Sequence, residues 1–330
     1  MTLRHRAGAL IYDWPRFLRH VRGNWTRLRN RNETLAVDAR GARCEWQYTS
    51  ELHLANVYPL ASRMLLRRAL HDWPIVLRDD APAVSATPEV TFLIGHRGTA
   101  RLPNLLATLR SIAGQTNVKI ECIVIEQSTA PEIRDALPPW VRYVHTPFAL
   151  DYCRAKTFND GVRLARGEVL IAHDNDMLVP SRYAAELLAR TRDGNAFVDP
   201  KRFIFYLTEA DTRAIFGGAP LTTNVETTIV QNLKGGSIAA TVEGYRAIGG
   251  FDEGFVGWGG EDLEFWERAR AHGRVYEFGY LPLMHLWHAA QPGKVQGNAA
   301  PAQQRYFEVR ETATEERIAR LRATNFSNEK

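Results

Sequence analysis

The chain of 330 residues is 45% hydrophobic and 24% charged, with 24 Gly, 16 Pro and 3 Cys, a balance that excludes a disordered or fibrous protein and allows one large domain or two smaller ones. Cys44, Cys122 and Cys153 are odd in number and far apart, which excludes a disulfide framework or cysteine zinc site and fits a reducing compartment. The net charge of +5 is uneven: residues 1–80 hold 14 Arg, no Lys and 8 acids, whereas residues 81–330 hold 28 bases and 29 acids, which reads as a basic appendage on a neutral body and not as a nucleic-acid-binding face.

No run approaches the roughly 20 apolar residues of a membrane span, and Arg4 and Arg6 precede no apolar stretch of secretory type. Leu10, Ile11, Trp14, Phe17, Leu18, Val21, Trp25 and Leu28 recur at helical spacing with arginines between them. This predicts a basic amphipathic helix over 10–28, starting near Pro15. Such a helix either docks its apolar stripe on the protein's own core, the commoner fate, or lies on an anionic membrane surface. A second helix is expected over 58–72, and the Pro/Ala/Ser-rich stretch 79–89 reads as a linker.

Beyond it the pattern changes. Strands expected at 90–94 (VTFLI), 120–125 (IECIVI), 141–145 and 168–172 (EVLIA) alternate with helices expected over 102–112, 131–137 and 156–165. Continuous apolar strands separated by helices predict an α/β fold with a mostly parallel sheet covered on both faces. From 200 onward the chain is irregular, with Gly-Gly pairs at 217–218, 235–236, 249–250 and 259–260, and a last helix is expected over 303–323.

Three features carry chemistry. Asp174-Asn175-Asp176 directly follows the strand EVLIA, at the carboxyl end where open α/β sheets bind ligands. Two acids there call for a cation, and oxygen ligands suit Mg²⁺ or Mn²⁺; an Asp-x-Asp alone is a weak signal. Gly257-Trp258-Gly259-Gly260-Glu261-Asp262 suggests a mobile Gly-rich loop leading into a helix near Glu261, where acids could simply complement the helix dipole. His285-Leu286-Trp287-His288 places two imidazoles where they can meet one ion, although structural histidines are commoner. Together the three supply carboxylate oxygen, imidazole nitrogen and a free acid for proton transfer.

The motifs also fall in a known order. Gly95-His96-Arg97 follows the first strand and Ile125-Glu126-Gln127 the second; then come Arg154-Ala155-Lys156 with Asn159 and Gly161, Asp174-Asn175-Asp176, Gly235-Gly236, GWGGED at 257–262, and His285-Leu286-Trp287-His288. In this order, residues 90–313 resemble a GT-A nucleotide-sugar glycosyltransferase, most closely the β-1,4-galactosyltransferase superfamily and its bacterial family-two relatives. The resemblance implies a GT-A fold over 89–290, with 1–88 as a basic helical extension and linker and 291–330 as a helical tail packed on the catalytic domain. It implies Asp176 and His288 as ligands of Mn²⁺ (or Mg²⁺), with His285 replacing a weaker Met ligand. Arg97, Glu126, Arg154, Asp174, Gly235, Gly236 and Leu233 would meet the nucleotide sugar, and Trp258 the acceptor. Asp262 would be the general base of an inverting displacement, with Glu261 orienting the sugar or acceptor.

Departures matter too. Gly95-His96 replaces a Pro-aromatic pair, and Glu126 an Asn. Leu233 stands where family galactosyltransferases carry a Tyr that crowds the sugar's C2 substituent, which favours UDP-N-acetylhexosamine, GalNAc first, over UDP-galactose. The expected partners are a UDP-sugar donor and a saccharide or lipid-linked saccharide acceptor of surface polysaccharide or glycolipid synthesis, with no nucleic acid. The expected location is cytoplasmic, with peripheral contact at the inner membrane face through residues 10–30. The competing readings are a non-catalytic nucleotide-sugar or glycan-binding subunit and a nucleotide-sugar hydrolase.

Overall fold

The computed structural model describes residues 3–46, 48–221, 228–257, 259–290 and 300–326. Alternation along the apolar strands builds its centre. Phe92, Ile94, Cys122 and Val124 point to one face and pack with Leu105, Leu109 and Ile112 of the helix Leu102–Ala113. Their neighbours Leu93, Ile123 and Ile125 point to the other and meet Ala155, Phe158 and Val162 of the helix Arg154–Val162, as a side-chain period of two requires. Gly161 lets that helix lie close: a Cβ there would come within 2.9 Å of Leu93 Cδ2.

These strands belong to a seven-stranded sheet in the order Val275–Tyr276, Phe197–Val198, Ser237–Thr241, Val169–His173, Val90–His96, Ile120–Ser128, Arg142–Pro147. The last four are mutually parallel, while Ser237–Thr241 is antiparallel to both neighbours. The expected mostly parallel sheet is therefore present, with one reversed strand. A second sheet has the order Ser50–Glu51, Ile229–Gln231, Lys201–Tyr206, Leu281–His285, Met177–Leu178. In it His285 lies opposite Met177, a register that sets Asp176 beside His285.

The N-terminal segment joins this second sheet. Ser50–Glu51 is its edge strand, and Phe17, Val21, Trp25, Leu28, Leu65 and Leu66 share one core with Phe203, Phe205, Ile229 and Met284. Each fully buried side chain of this kind contributes about 1.5–3 kcal/mol, so the inner stripe of the amphipathic segment docks on the protein. Arg202 secures it from the sheet: its buried guanidinium donates to the carbonyls of Thr26 (2.7 Å) and Leu28 (2.6 Å) and to Gln231 Oε1 (2.8 Å).

Several boundaries differ from expectation. The helix predicted over 10–28 begins earlier and breaks earlier: Leu3–Gly8, a π turn over Ala9–Asp13, Trp14–Val21, then a 3₁₀ turn over Trp25–Arg27. The π turn closes with Trp14 N–H on Ala9 O, and Pro15 stands in the first turn of the next helix, where its missing N–H is tolerated. The Gly23 and Asn24 amides both close on His20 O and end the helix. The helix expected at 131–137 is only a 3₁₀ turn, Arg134–Ala136, between Pro131 and Pro138. The tail forms two helices, Pro301–Val309 and Thr314–Phe326, separated by turns closing on Glu308 and Val309. The proposed linker is tied down, with Ala83 O accepting from Ile120 N and Ser85 N donating to Ile120 O. No helix among the described residues is long and apolar enough to cross a membrane.

Candidate active site

The parallel strands Val90–His96 and Val169–His173 end on one rim of the central sheet, and the helix Arg154–Val162 begins there. Arg154 therefore enters the rim as the helix's first residue. Its Nε lies 2.8 Å from Asp174 Oδ1, and its Nη1 lies 2.7 Å from Asp262 Oδ1 and 3.8 Å from Glu261 Oε1. Burial opposes the guanidinium's charge, but Asp174, Asp262 and Glu261 hold its pKa well above the ordinary value. Nη2 is buried without a protein partner, which leaves one edge of the fork unpaired.

Three acids on one cation leave excess negative charge. Asp174 is pushed up to about 6, first by burial and then by Asp176 and Asp262, with Arg154 opposing. Glu261 is pushed up to about 7, by burial first and then by Asp262. The Gly235-Gly236 turn closes over this group: Gly236 O accepts from Asp174 N at 2.9 Å, and a Cβ on Gly235 would lie 2.1 Å from Asp262 Oδ2. Any larger residue at 235 would have to displace the Asp262 carboxylate.

Glu261 and Asp262 open the helix Glu261–His272, entered through Gly260 at φ +88°. Tyr306 approaches so closely that a Cβ on Gly260 would come within 2.7 Å of its Cβ. Asn159, from the same helix as Arg154, braces the preceding turn: its Nδ2 donates to Phe251 O (3.0 Å) and its Oδ1 accepts from Phe251 N (3.1 Å) and Tyr245 Oη (2.7 Å). The RAKTFNDG segment thus serves three ends, with Arg154 at the rim, Asn159 on the turn and Gly161 on the sheet.

A second cluster adjoins the first. Asp176, His285 and His288 bring one potential ligand atom each to within 4.8 Å of one another. His288 Nε2 lies 3.4 Å from Asp176 Oδ2, and His285 Nε2 lies 3.8 Å from Oδ1. Leu286 N donates to Asp176 O at 2.8 Å, extending the pairing of the two short strands. His285 stacks on Tyr206 with ring centroids 4.3 Å apart, its Nδ1 is buried without a partner, and burial lowers its pKa against the pull of Asp176, which favours the neutral ring. One carboxylate and two imidazoles suit Mn²⁺ or a similar divalent ion.

Of the residues expected from sequence, Arg154, Asp174, Asp176, Gly235, Gly236, Glu261, Asp262, His285 and His288 come together here. Leu233 is half-buried near the Gly236 turn, 3.8 Å from where a Gly236 Cβ would lie. Two others make their bonds within neighbouring segments. Arg97 is exposed and donates to Leu150 O. Glu126 is fully buried and accepts from Tyr143 Oη (2.5 Å), Glu132 N (3.0 Å), Ser128 Oγ (3.0 Å) and Ile133 N (3.4 Å); although burial opposes ionisation, these donors hold its pKa below the usual value. Trp258 lies outside the described residues.

Sequence reasoning missed Arg101, whose Nη1 lies 3.1 Å from Asp176 Oδ2 and whose Nη2 lies 3.2 Å from His288 Nδ1. It also missed how Asn175 is held, with Nδ2 2.9 Å from His96 Nδ1. Neither contact has a local sequence signal, since each joins residues 75 or more positions apart.

The family 2 glycosyltransferase model matches residues 100–247, from the first helix of the body through Asp174-Asn175-Asp176 and the Gly235 turn. A model described as the N-terminal domain of galactosyltransferase matches residues 228–280, which include Glu261 and Asp262. No curated protein matches the chain. With the sheet order and the rim of acids, these two matches identify the chain as a glycosyltransferase of the GT-A fold that resembles the galactosyltransferases.

Proposed function

We propose that this chain is a divalent-metal-dependent, inverting glycosyltransferase that moves a hexose or N-acetylhexosamine from a UDP-sugar to a saccharide or lipid-linked saccharide acceptor in surface polysaccharide or glycolipid synthesis. The observation that carries this reading is the adjacency of two clusters on one rim, Asp176–His285–His288 and Arg154–Asp174–Glu261–Asp262.

Asp176, His288 and His285 would hold the ion, Mn²⁺ first, which supplies positive charge against the diphosphate as it leaves. Arg154 turns its unpartnered Nη2 to the diphosphate, and Arg97 adds a second cation at the end of the neighbouring strand. Asp174 and the Gly235-Gly236 turn bound the donor sugar. Leu233, smaller than the family's Tyr, leaves room for an N-acetyl group. Glu126 serves the nucleotide by fixing the 128–133 segment through its four donors.

As the acceptor hydroxyl attacks the anomeric carbon, its proton passes to a carboxylate oxygen of Asp262, the C–O bond to the diphosphate breaks and the configuration inverts. Glu261 orients the sugar or acceptor, and Trp258 offers it an apolar face. Catalysis is assigned to residues 89–290, with 1–88 and 291–330 as supporting segments. The setting is the cytoplasmic face of a membrane, contacted through the outer side of the N-terminal helix.

The test is release of UDP from UDP-sugars in the presence of Mn²⁺. Wild type releases UDP only with the metal, and Asp176→Asn loses that release by about 100-fold or more, the scale of removing one charge-stabilising group. Equal release by wild type and variant overturns the metal assignment. Release that no acceptor sugar stimulates makes the chain a nucleotide-sugar hydrolase.

A further inference from the structure

Arg101 occupies a position that the reaction described above does not explain. It ends the loop after the strand Val90–His96, immediately before the helix Leu102–Ala113, and its guanidinium spans the two first-choice metal ligands. Nη1 lies 3.1 Å from Asp176 Oδ2, and Nη2 lies 3.2 Å from His288 Nδ1. Asp176 is almost fully buried, whereas the Arg101 side chain retains a quarter of its exposure. A buried carboxylate is therefore neutralised by a cation that has room to leave.

The bond to His288 bears on ligation as well as on charge. An imidazole nitrogen that accepts from a guanidinium carries no proton, so the ring's proton sits on the other nitrogen. Here that nitrogen is Nε2, the atom facing Asp176. The competing partner of Nδ1 is Ala289 O, at 2.9 Å. When Nδ1 donates to this carbonyl, Nε2 presents a free lone pair toward Asp176, the arrangement in which metal-bound histidines are held. Arg101 thus favours the tautomer that does not ligate, and Ala289 the one that does.

We propose that Arg101 is a positioning residue that holds the Asp176–His288 pair as an internal cation and is displaced to the donor's diphosphate when metal and nucleotide bind together. The proposal rests on the metal reading of Asp176, His285 and His288. A guanidinium and a divalent ion cannot share one carboxylate without strong repulsion. The diphosphate removes that conflict by supplying new acceptors for the displaced fork. The consequence is coupling: metal alone binds weakly, metal with nucleotide binds tightly, and each strengthens the other by the same factor.

The experiment measures Mn²⁺ affinity from the electron paramagnetic resonance signal of the free ion, with and without UDP, for the full chain and for Arg101→Gln, Arg101→Lys and Asp176→Asn. Arg101→Gln is expected to bind Mn²⁺ alone at least about tenfold more tightly than wild type, and UDP is expected to enhance Mn²⁺ affinity about tenfold less in that variant, within the usual span of coupling between sites. Arg101→Lys, which keeps the charge but not the fork, should fall between the two. A residue that merely braced the loop would weaken Mn²⁺ binding in both conditions when removed. Unchanged or weaker binding of Mn²⁺ alone in Arg101→Gln overturns the proposal and leaves the metal reading intact, provided Asp176→Asn abolishes binding. Should Arg101→Gln fail to fold, Arg101→Lys decides: Mn²⁺ binding alone no tighter than in wild type counts against the displacement. If wild type binds no Mn²⁺ even with UDP, the metal reading fails and the proposal falls with it.

Discussion

At the scale of single residues, the proposed phosphate clamp Arg154 and the proposed base Asp262 are in direct contact. The Arg154–Asp262 contact of 2.7 Å ties up the carboxylate proposed as the proton acceptor. A diphosphate drawing the guanidinium away would release that carboxylate at the moment the donor is bound. Asp262→Asn is therefore expected to keep UDP-sugar binding within a few fold, measured by calorimetry, while acceptor transfer drops by about 100-fold or more, the range for loss of a positioned proton acceptor; retained transfer would remove Asp262 as the base. Glu261 gives a prediction on stability. Its pKa is pushed up to about 7 in the folded protein, against an ordinary value of 4.5. Below pH 4.5 the group is protonated in both folded and unfolded chains and has no effect. Between 4.5 and 7 the unfolded chain loses the proton first, so stability falls as pH rises, and above 7 the loss is complete. Glu261→Gln cannot ionise, so its unfolding free energy from urea titration should rise relative to wild type by about 1–3 kcal/mol more at pH 8 than at pH 5. An equal difference at the two pH values would show that the protein does not hold the Glu261 proton.

At the scale of elements, the N-terminal helical run has two faces with different fates. Phe17 and Val21 are buried, as are Trp25 and Leu28 beyond the helix, whereas Leu3, Leu10, Ile11, Tyr12 and Leu18 are exposed. Leu3, Leu10, Ile11 and Leu18 recur roughly every two helical turns, with Arg4, Arg6, Arg19 and Arg22 in the same stretch. That outer side has the composition of an interfacial helix. The pair Leu10→Glu and Ile11→Glu leaves the inner face intact, so the full chain carrying both should unfold at nearly the wild-type midpoint. In sedimentation with anionic vesicles at low salt, wild type should bind, lose binding as salt rises, and bind at least about tenfold more tightly than the double variant, since each acid adds an unfavourable charge to the lost apolar contact. Equal sedimentation of the two proteins sinks the membrane contact. The apolar spacing that made this helix visible does not resolve its two sides, because both are apolar. Nor does it reveal the π turn at Ala9–Asp13. The rim of acids was far more legible. Asp174, Arg154 and Glu261 each stand at the end of a strand or the start of a helix, and short motifs mark such places. Arg101 was hidden because its meeting with Asp176 and His288 depends on how the 97–101 loop lies against two distant strands, and no local pattern encodes that.

At the scale of the molecule, the question is what holds the rim's two halves in register. Asp176 and His285 are aligned by the pairing of Met177–Leu178 with Leu281–His285, whereas Glu261 and Asp262 depend on how the following turns of their helix are held. There Glu264 and Arg268 form a fully buried pair at 2.5 Å. Arg268 also donates to Gly250 O at 2.7 Å, and Arg317, from the C-terminal helix, reaches Glu264 at 3.3 Å and Glu267 at 3.0 Å. Leu321 packs so near Gly249 that a Cβ on that glycine would lie 2.6 Å from its own Cβ. One polar cluster therefore joins the helix Glu261–His272, the 249–250 turn and the tail. The Gly-Gly pair was visible in the sequence, but its packing was not: both residues take positive φ, Gly249 against Leu321 of the tail helix and Gly250 against Asn159 and Tyr245. Such a cluster is costly to break, because removing one member leaves the others charged and desolvated. Glu264→Gln leaves Arg268 and Arg317 without their shared carboxylate and is expected to lower stability by about 3–5 kcal/mol, read as a fall in the urea midpoint with unchanged slope. Because Glu264 shares a helix with Asp262, transfer activity should fall in the same variant below its unfolding transition, while Mn²⁺ affinity with UDP, governed by the other half of the rim, stays near wild type. Loss of stability with both functions intact would show that the tail braces the fold without positioning the acids. Loss of Mn²⁺ binding together with transfer would show that the two halves of the rim are not independently held.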